Sequence, residues 1–268
     1  MKARVKIGTQ GWNYDGWTGP FYPPRTSKKE TLSLYAKVFD TVEIDSTFYA
    51  IPPENTVRGW AERTPADFTF SVKLPSEITH ENRLQSSGET LLRFSERMQL
   101  LGDKLGCVLI QLPPDFSPAE HRSLSEFIRL LPSDTRFAVE FRDREWLDSK
   151  VLSELRDHNV ALALADSKWI DREASFDLAS SPTASFAYVR WLGPRDLTDF
   201  SRIQIDRTDE LKAWADAFAV LTEKVETVFG YFNNHYQGHS PASSNMFKKM
   251  IGLPTIDPSQ LITQPSLF

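Results

Sequence analysis

The sequence predicts a single α/β protein whose eight parallel strands close into a barrel. Two patterns carry this prediction: eight short apolar segments of strand type, and helical periodicity in most of the gaps between them. Alternating strands and helices form parallel sheets through right-handed crossovers, and eight such units are enough to close a sheet. The length of 268 residues suits one TIM-barrel-like domain, whose catalytic face lies at the carboxyl ends of the strands.

The predicted strands are rich in branched and aromatic residues, as strands buried on both faces are. An open doubly wound sheet is the alternative, but the turn after the first strand, TQGWNYDGW, lacks the glycine spacing of a dinucleotide-binding loop. In chain order, the strand segments are VKIGT from Val5, TVEID from Thr41, FTFSVK from Phe68, CVLIQ from Cys107, FAVEFR from Phe137, ALALAD from Ala161, FAYVR from Phe186 and TVFGYFNN from Thr227.

Helix signals fill most of the gaps. Ser27 and Glu30 form a capping box ahead of the first predicted helix, in which Leu32 and Tyr35 share a face. The gap 167–185 has no helical pattern, so we expect an irregular sixth crossover. The barrel domain is predicted over 1–254, and the end rich in Pro, Ser and Gln, 255–268, is predicted to be a loosely ordered C-terminal tail. The other predicted helices cover 53–63, 91–105, 117–131, 149–158, 206–225 and 241–253.

Composition and charge limit the classes of protein to consider. The chain is 40% apolar and 25% charged, and no run approaches the roughly 20 apolar residues of a membrane span, so no membrane partner is expected. The formal net charge of −5 disfavours a nucleic-acid partner, which a basic field would attract. The first residues lead into a strand pattern without a signal segment, and Cys107 is the single cysteine, so we expect a cytoplasmic protein without an intrachain disulfide.

Acidic residues alternate with apolar ones in two of the strands. Because successive strand side chains point to opposite faces, Glu43 and Asp45 share one face, and their apolar neighbours share the other. The same rule places Glu140 and Arg142 together. The apolar face of a barrel strand lies beneath the helices, so these four charged side chains are predicted to point toward the barrel axis.

Polar side chains also end the other strands: Lys73, Gln111, Asp166, Arg190, Asn233 and Asn234. The charged members have two interpretations, an internal ion-pair network or an active site. Buried ion pairs are a poor source of stability, since desolvation can exceed the Coulombic gain, and this favours an active or ligand site. The predicted catalytic residues are Glu43, Asp45, Lys73, Glu140, Arg142 and Asp166.

Several reactions suit these residues. Paired carboxylates act as general acid and base, cleave glycosides or hold a divalent metal, whereas Lys73 either forms a Schiff base or pairs with a substrate anion. Together with Lys73, the guanidinium groups of Arg142 and Arg190 suit a carboxylate or phosphate. The sequence therefore predicts a small anionic or sugar-like ligand. It contains no organic cofactor motif and leaves the cofactor open, a divalent metal included.

Aromatic and histidine side chains fall in loops on the same side. The loop after the first strand carries rings that either pack as a lid or stack on a sugar or base. His80 follows the third strand, where a general base or a metal ligand would lie. The predicted substrate-binding residues are Trp12, Tyr14, Trp17, Tyr49, His80, Gln111, Arg190, Asn233 and Asn234.

A distinctive set of motifs extends from the first strand to the last: IGTQGWNYDGW, FYPP, YAKVFDTVEIDSTFY, FSVKLPSEITH, LGCVLIQLPPDF, FAVEFRDREW, AYVRWLG and YFNNHYQG. In combination they resemble the YecE-like family, domain of unknown function 72. The resemblance implies an α/β barrel, while the activity of that family is not established. Carried over by motif, it implies all the candidate residues named above except Tyr49 and Asp166. Where the family more usually has Asn before Ser-Thr-Phe-Tyr this chain has Asp45, and it has His235 where an acid is common.

From sequence, we therefore expect a cytoplasmic barrel enzyme that acts on a small anionic or sugar-like substrate by carboxylate acid/base or metal-assisted chemistry. Two alternatives stay open: a metal-dependent phosphodiesterase or nuclease of barrel type, and a non-catalytic metabolite-binding protein. Five scattered histidines fit a multi-metal nuclease badly. The sequence does not choose among hydrolysis, isomerisation and elimination.

Overall fold

A computed structural model describes residues 3–261, which form a closed barrel of eight parallel strands. The strands follow one another around the barrel in chain order, and the last strand pairs with the first. This confirms the predicted fold class. The strands are β1 (Arg4–Gln10), β2 (Thr41–Ile44), β3 (Thr69–Lys73), β4 (Leu105–Gln111), β5 (Phe137–Glu140), β6 (Ala161–Asp166), β7 (Phe186–Trp191) and β8 (Thr227–Phe232).

Helices connect the strands and cover the outside of the barrel. Each predicted helix is present, with ends that shift by several residues because helix ends depend on packing as well as on local pattern. The helices are α1 (Thr31–Tyr35), α2 (Glu54–Glu62), α3 (Gly88–Gln99), α4 (His121–Ile128), α5 (Ser149–Asp157), α6 (Arg172–Ala179), α7 (Thr208–Leu221), α8 (Asn234–Gln237) and α9 (Ser240–Met250).

Helix α1 is shorter than its sequence pattern predicts. The capping contacts are present, because Ser27 donates to Glu30 Oε2 from its N at 2.9 Å and from its Oγ at 2.5 Å. The α-helical stretch nevertheless has only five residues. Val38 lies beyond its end and is still buried, so the hydrophobic face continues through the turns that lead to β2.

The sixth crossover contains a helix, which corrects the prediction of an irregular segment. Asp171 caps the start of α6, and its Oδ1 accepts from the N of Ala174 at 2.8 Å. The helix buries Ser175 and Ala179, which are small side chains. A face of small residues leaves a weak hydrophobic repeat, so periodicity alone does not reveal this helix.

The hydrophobic core has an outer layer between strands and helices and an inner layer within the barrel. In the outer layer the rings of Trp191 and Phe232 stack with 4.0 Å between centroids. In the inner layer, burial raises the pKa of the Cys107 thiol, which therefore stays protonated and packs as a small apolar group. The inner layer comprises Cys107, Leu109, Ala138, Ala161, Ala163, Phe186, Tyr188, Phe229 and Tyr231.

Lys6 points to the barrel axis at the amino end of the strands. The register of β1 and β8 pairs it with Phe229, a residue of the inner layer. Its Nζ lies 3.0 Å from Asp40 Oδ2 and donates to the carbonyl oxygen of Asp67 at 2.7 Å. The amino end of the barrel is therefore closed by a paired lysine.

The predicted tail, 255–268, lies partly outside the described residues, which end at 261. Within the described part, Pro258–Leu261 forms a short 3₁₀ turn, and Leu261 packs against the outer core. Among the helices of residues 3–261, none has both the length and the apolar character needed to cross a bilayer.

Candidate functional site

Arg190 lies at the carboxyl end of the barrel and joins two buried glutamates. Its Nη2 and Nε donate to the two carboxylate oxygens of Glu43 at 2.7 and 3.0 Å, and its Nη1 donates to Glu140 Oε2 at 2.5 Å. All three side chains are buried and point inward, as alternation along the strands predicts. Because they belong to β7, β2 and β5, one guanidinium connects three strands that are not neighbours.

The two glutamates have pKa values displaced in opposite directions. Burial raises the pKa of Glu43, and Arg190 offsets this only in part. Burial also acts on Glu140, but the charges of Arg190 and Arg142 outweigh it and lower the pKa of Glu140. Carboxyl groups with opposite shifts can divide the roles of proton donor and acceptor. Both are buried below the rim, however, so a ligand at the mouth meets other side chains first.

Hydroxyl groups support this network from below. Tyr188 donates to Glu43 Oε2 at 2.6 Å, and its ring lies 5.4 Å from the ring of Tyr231. The Tyr231 hydroxyl in turn bonds to Thr41 Oγ1 at 2.7 Å and to Ser71 Oγ at 2.8 Å. Burial raises the pKa of both tyrosines and keeps them protonated. Strand alternation predicts Tyr188 and Ser71 to point inward, whereas Tyr231 was not among the predicted inward residues.

Lys73 ends β3 at the rim of the barrel. Its Nζ donates to Gln111 Oε1 at 2.7 Å and lies 3.9 Å from the centroid of the Phe48 ring. Within residues 3–261, no carboxylate lies at ion-pair distance from this Nζ. Burial and then the charge of Arg190 lower the pKa of Lys73 to about 8. At 8% exposure, Lys73 is more accessible than the network beneath it.

Arg142 and His80 adjoin Lys73 at the same rim. The Nε of Arg142 donates to Glu140 Oε1 at 3.3 Å, and its guanidinium lies 5.7 Å from the centroid of the Trp169 ring. Burial, followed by the charges of Lys73 and Arg142, lowers the pKa of His80 to about 4. His80 is therefore neutral at pH 7, and both cations lie in its surroundings.

His80 is carried by an irregular stretch of backbone. Glu77–Glu81 form a single π-helical turn, a form found frequently at functional sites. The Nδ1 of His80 lies 2.8 Å from Thr79 Oγ1, and its ring meets the Phe48 ring edge-on at 4.9 Å. Residues beyond the turn have positive φ, which costs energy in side chains other than glycine. They are Arg83 at 49°, Leu84 at 67° and Ser86 at 49°.

Asp45 is a rim acid that stays partly open to solvent. Its side chain is 38% exposed, and its Oδ1 lies 3.8 Å from Arg190 Nη2. Tyr14 stands beside it: burial, followed by the charges of Asp45 and Glu43, raises the pKa of Tyr14. The Tyr14 hydroxyl donates to the carbonyl oxygen of Gln10 at 2.9 Å, so the aromatic loop is tied to the end of β1.

Asp166 points away from the barrel axis, which corrects the prediction that it joins the site. In β6 the inward residue is Ala165, which pairs with Arg190 in the neighbouring strand. Asp166 therefore faces the helices and holds them against the sheet. It accepts hydrogen bonds from Arg172 Nε at 2.9 Å, Trp214 Nε1 at 2.8 Å and Tyr236 Oη at 3.1 Å.

Two predicted ligand-binding residues are part of the packed interior. Trp17 is fully buried and donates from Nε1 to Asn234 Oδ1 at 3.1 Å. The same oxygen accepts from the N and the Oγ of Ser240 at 3.0 and 2.8 Å. These contacts fix the aromatic loop to the start of α9, so Trp17 and Asn234 are placed as structural residues rather than at the mouth.

Asn233 leads to a site residue that sequence reasoning missed. Its Oδ1 accepts from the N of His235 and caps α8, and its Nδ2 donates to Gln10 Oε1 at 2.7 Å. Gln10 is buried and in register with Glu43. Strand alternation from Lys6 would have identified Gln10 as an inward side chain at the end of β1.

Aromatic surface at the mouth comes from the loops after β2 and β6. Tyr49 is 82% exposed, next to the half-buried Phe48. Trp169 is also exposed and stacks near Arg142, and the loop that carries it gave no signal in the sequence. Trp12, by contrast, packs edge-on against Trp60 with 6.1 Å between ring centroids.

The buried carboxylates of the site are engaged by cationic side chains. Within residues 3–261, no group of three or more His, Cys, Asp or Glu side chains is placed to hold a metal. The oxygens of Glu43 and Glu140 are engaged by arginines, and Lys73 adds further positive charge beside them.

Known proteins are similar to this chain in sequence. The family model described as "Protein of unknown function DUF72" matches residues 6–265. The UPF0759 protein YecE of Escherichia coli strain K12 is 28% identical over 217 residues, which cover 72% of this chain and 76% of that protein. The UPF0759 protein YunF of Bacillus subtilis strain 168 is 26% identical over 279 residues, covering 96% and 97%.

A solved structure gives the same result. A DUF72 family protein from Thermotoga maritima aligns with a TM-score of 0.79 and 26% identity, over 93% of this chain and 99% of that one. The family model covers nearly the whole sequence, and its match agrees with the YecE-like motifs. The chain belongs to the DUF72 family.

Proposed function

We propose that this chain is an enzyme that acts on a small anionic substrate bound at the carboxyl end of the barrel. The observation that carries the proposal is the incomplete pairing of two rim cations. Lys73 donates to a neutral amide, and Arg142 reaches Glu140 through a single hydrogen bond at 3.3 Å. Ammonium and guanidinium groups with unused donors are the usual partners of carboxylate and phosphate.

The buried network supports this proposal as a rigid base. Arg190 is engaged by Glu43 and Glu140 on both sides of its guanidinium. We assign it a positioning role below the substrate, in place of the direct contact expected from the sequence. Side chains locked by packing and hydrogen bonds hold reacting groups more accurately than loops do.

Proton transfer is assigned to groups at the rim, because Glu43 and Glu140 are buried. Lys73 lies at the rim and has a pKa lowered to about 8, which suits acid/base or nucleophilic chemistry. His80, with a pKa of about 4, serves as a neutral hydrogen-bond partner at pH 7. The exposed rings of Tyr49 and Trp169 offer an apolar surface to a sugar-like part of the substrate.

Titration calorimetry with phosphate, sugar phosphates, carboxylic acids and a short oligonucleotide tests the proposal. The variants are Arg142→Gln and, as a matched control, Arg122→Gln, because Arg122 lies exposed on α4 and pairs with Glu126 in solvent. We expect at least one small anion to bind the wild type and Arg122→Gln alike. Its binding to Arg142→Gln should be about tenfold weaker or more, since a hydrogen bond to a charged group contributes about 1.5–3 kcal/mol.

Three outcomes contradict the proposal. They are an equal loss of affinity in both variants, no binding of any small anion to the wild type, and binding of the oligonucleotide without binding of any small anion. Incubation of the best ligand with the wild type, followed by NMR, separates catalysis from binding. A ligand that remains unchanged through long incubation would instead support the non-catalytic metabolite-binding alternative.

A further inference from the structure

Lys73 differs from the other buried lysines of residues 3–261. Lys6, at the opposite end of the barrel, is paired with Asp40 at 3.0 Å. Lys248 lies outside the barrel on α9, with its Nζ 5.6 Å from the Phe39 ring. Lys73 alone among these three stands at the carboxyl end of a strand, where barrel enzymes carry their reacting groups.

The surroundings of the Lys73 Nζ suit a neutral amine as well as an ammonium ion. One N–H is donated to Gln111 Oε1, and the Nζ lies over the face of the Phe48 ring, 3.9 Å from its centroid. Neither neighbour carries a negative charge that would fix the proton. The amide orients the nitrogen, and the ring shields it from water.

Charges on the surrounding elements act on Lys73 in both directions. Arg190 on β7 opposes its protonation, whereas Asp45, Glu140 and Glu43, on β5 and around β2, favour it. The neighbouring His80 is neutral above about pH 4 and adds no charge at pH 7. With a pKa of about 8, about a tenth of Lys73 is neutral at pH 7, against well under about a thousandth of an ordinary lysine.

We infer that Lys73 is a nucleophile that forms a Schiff base with a small carbonyl compound bearing a carboxylate or phosphate. The inference rests on the proposed function, because it is Arg142 that would hold the anionic group. The inference narrows the proposed small anionic substrates to those that also carry a carbonyl group. A lysine amine that is desolvated by burial or lies near another cation is activated for imine formation, and Lys73 has both the burial and the nearby Arg190.

Imine formation starts from the neutral amine of Lys73. The neutral Nζ forms a bond to the carbonyl carbon while the π electrons of the C=O bond move to oxygen. A proton passes from nitrogen to that oxygen and gives a carbinolamine. A second proton from solvent lets the oxygen leave as water, and the nitrogen lone pair forms the protonated imine. The sum is ammonium plus carbonyl giving protonated imine plus water, with no oxidant or reductant.

Borohydride trapping tests the inference. The wild type is incubated with pyruvate, glyoxylate, dihydroxyacetone phosphate or acetone, and sodium borohydride then reduces any imine to a stable amine. Intact mass should rise by the mass of the carbonyl compound less one oxygen atom, and peptide mass spectrometry should place the adduct on Lys73. Acetone tests the need for the anion, and the other three probes distinguish a carboxylate from a phosphate.

Two variants make the result specific. Lys73→Arg keeps the positive charge and lacks a nucleophilic amine, whereas Lys248→Arg removes another buried lysine outside the site. We expect trapping to fall at least tenfold in Lys73→Arg and to be unchanged in Lys248→Arg. Trapping should also increase as pH rises from 6 to 8.

The outcomes separate this inference from the proposed function. If anions bind in an Arg142-dependent way but no probe labels Lys73, the Schiff base is wrong and anion binding stands. If acetone labels Lys73 as well as the anionic probes do, the anionic substrate class is wrong. Labelling spread over the exposed lysines, with Lys73 not favoured, overturns the inference even if Lys73→Arg does not fold.

Discussion

The two ends of the barrel each bury a lysine, and the two lysines have opposite surroundings. At the amino end, Lys6 is held by the carboxylate of Asp40 and by a backbone carbonyl. At the carboxyl end, Lys73 meets an amide oxygen and an aromatic ring. The first lysine has what a buried cation needs for stability. The second lacks it, although carboxylates lie close by in the same barrel.

This difference separates the structural end of the fold from the end that we propose to be functional. A buried charge without a counter-ion costs free energy, so it persists where that cost serves another purpose. The buried acids of this end, Glu43 and Glu140, form ion pairs with Arg190 and not with Lys73. The least compensated charge among these side chains therefore lies at the rim, on Lys73.

The largest expected effect contrasts the charge networks at the two ends. Arg190→Met leaves Glu43 and Glu140 buried beside fewer cations, and should lower the free energy of unfolding by about 3–5 kcal/mol at pH 7. Lys6→Met should cost about 1–2 kcal/mol, because Asp40 is 45% exposed and can be solvated. Urea denaturation followed by tryptophan fluorescence measures both. Equal costs at the two ends would show that the comparison has no energetic basis.

The next effect concerns the pH dependence of stability. A lysine with a lowered pKa in the folded state makes the unfolded chain bind more protons between about pH 8 and pH 10.4, so stability rises with pH across that window. Relative to Lys73→Met, the wild type should gain up to about 3 kcal/mol there. Denaturation at pH 6 and 7 provides the control, since the difference in unfolding free energy between wild type and Lys73→Met should be constant below the window. If that difference stays constant through pH 10, Lys73 has an ordinary pKa.

A smaller contrast lies within the carboxyl end. Because the pKa of Glu140 is lowered, its charge stabilises the fold above the ordinary glutamate pKa and this contribution is lost as pH falls. The raised pKa of Glu43 has the opposite effect on stability. The protonated Glu43 contributes to the free energy of unfolding at low pH, and this contribution is lost as pH rises. At pH 7, Glu140→Gln should cost about 1.5–3 kcal/mol and Glu43→Gln less, and the gap should narrow as pH falls, because Glu43 takes up its proton before Glu140 does. If Glu43→Gln lowers the free energy of unfolding at pH 7 more than Glu140→Gln does, the opposite pKa shifts assigned to the two glutamates are wrong.

The smallest expected effect is at the rim surface. Trp169→Ala removes the ring that lies 5.7 Å from the Arg142 guanidinium, a contact of about 0.5–1 kcal/mol. It should weaken anion binding about two- to fivefold in calorimetry and leave the Lys6 end unaffected. Leu92→Ala is the matched control, since Leu92 is an exposed apolar residue on α3 and is no part of the proposed site. Equal losses in both variants would show that the effect does not come from the contact with Arg142.

Strand alternation was sufficient to find the centre of the site. It placed Glu43, Glu140 and Arg190 inward because each follows residues of clear apolar or polar character. In β6 the prediction rested on the charged strand end alone, and Asp166 faces the helices instead. A charged residue at a strand end does not reveal its face, whereas its position relative to the small inward Ala165 does.

Contacts between distant parts of the chain could not be predicted from local pattern. Trp17 and Asn234 are 217 residues apart, and their hydrogen bond exists only because the barrel closes. Each residue alone resembles a ligand-binding side chain at a strand end or in an aromatic loop. Helix α6 was not predicted for a related reason. Its buried residues, Ser175 and Ala179, are small, and they are buried because other parts of the chain pack against them.

The guanidinium of Arg190 acts as a crossbar between β2, β5 and β7. A planar group of fixed size sets the separation of these strand ends, whatever loops follow them. Loops after β3 and β6 can therefore diverge in length and sequence without changing the positions of Glu43, Glu140 and Arg190 beneath them. For protein engineering, this makes the barrel a candidate recipient for grafted loops, with the crossbar kept and the rim exchanged.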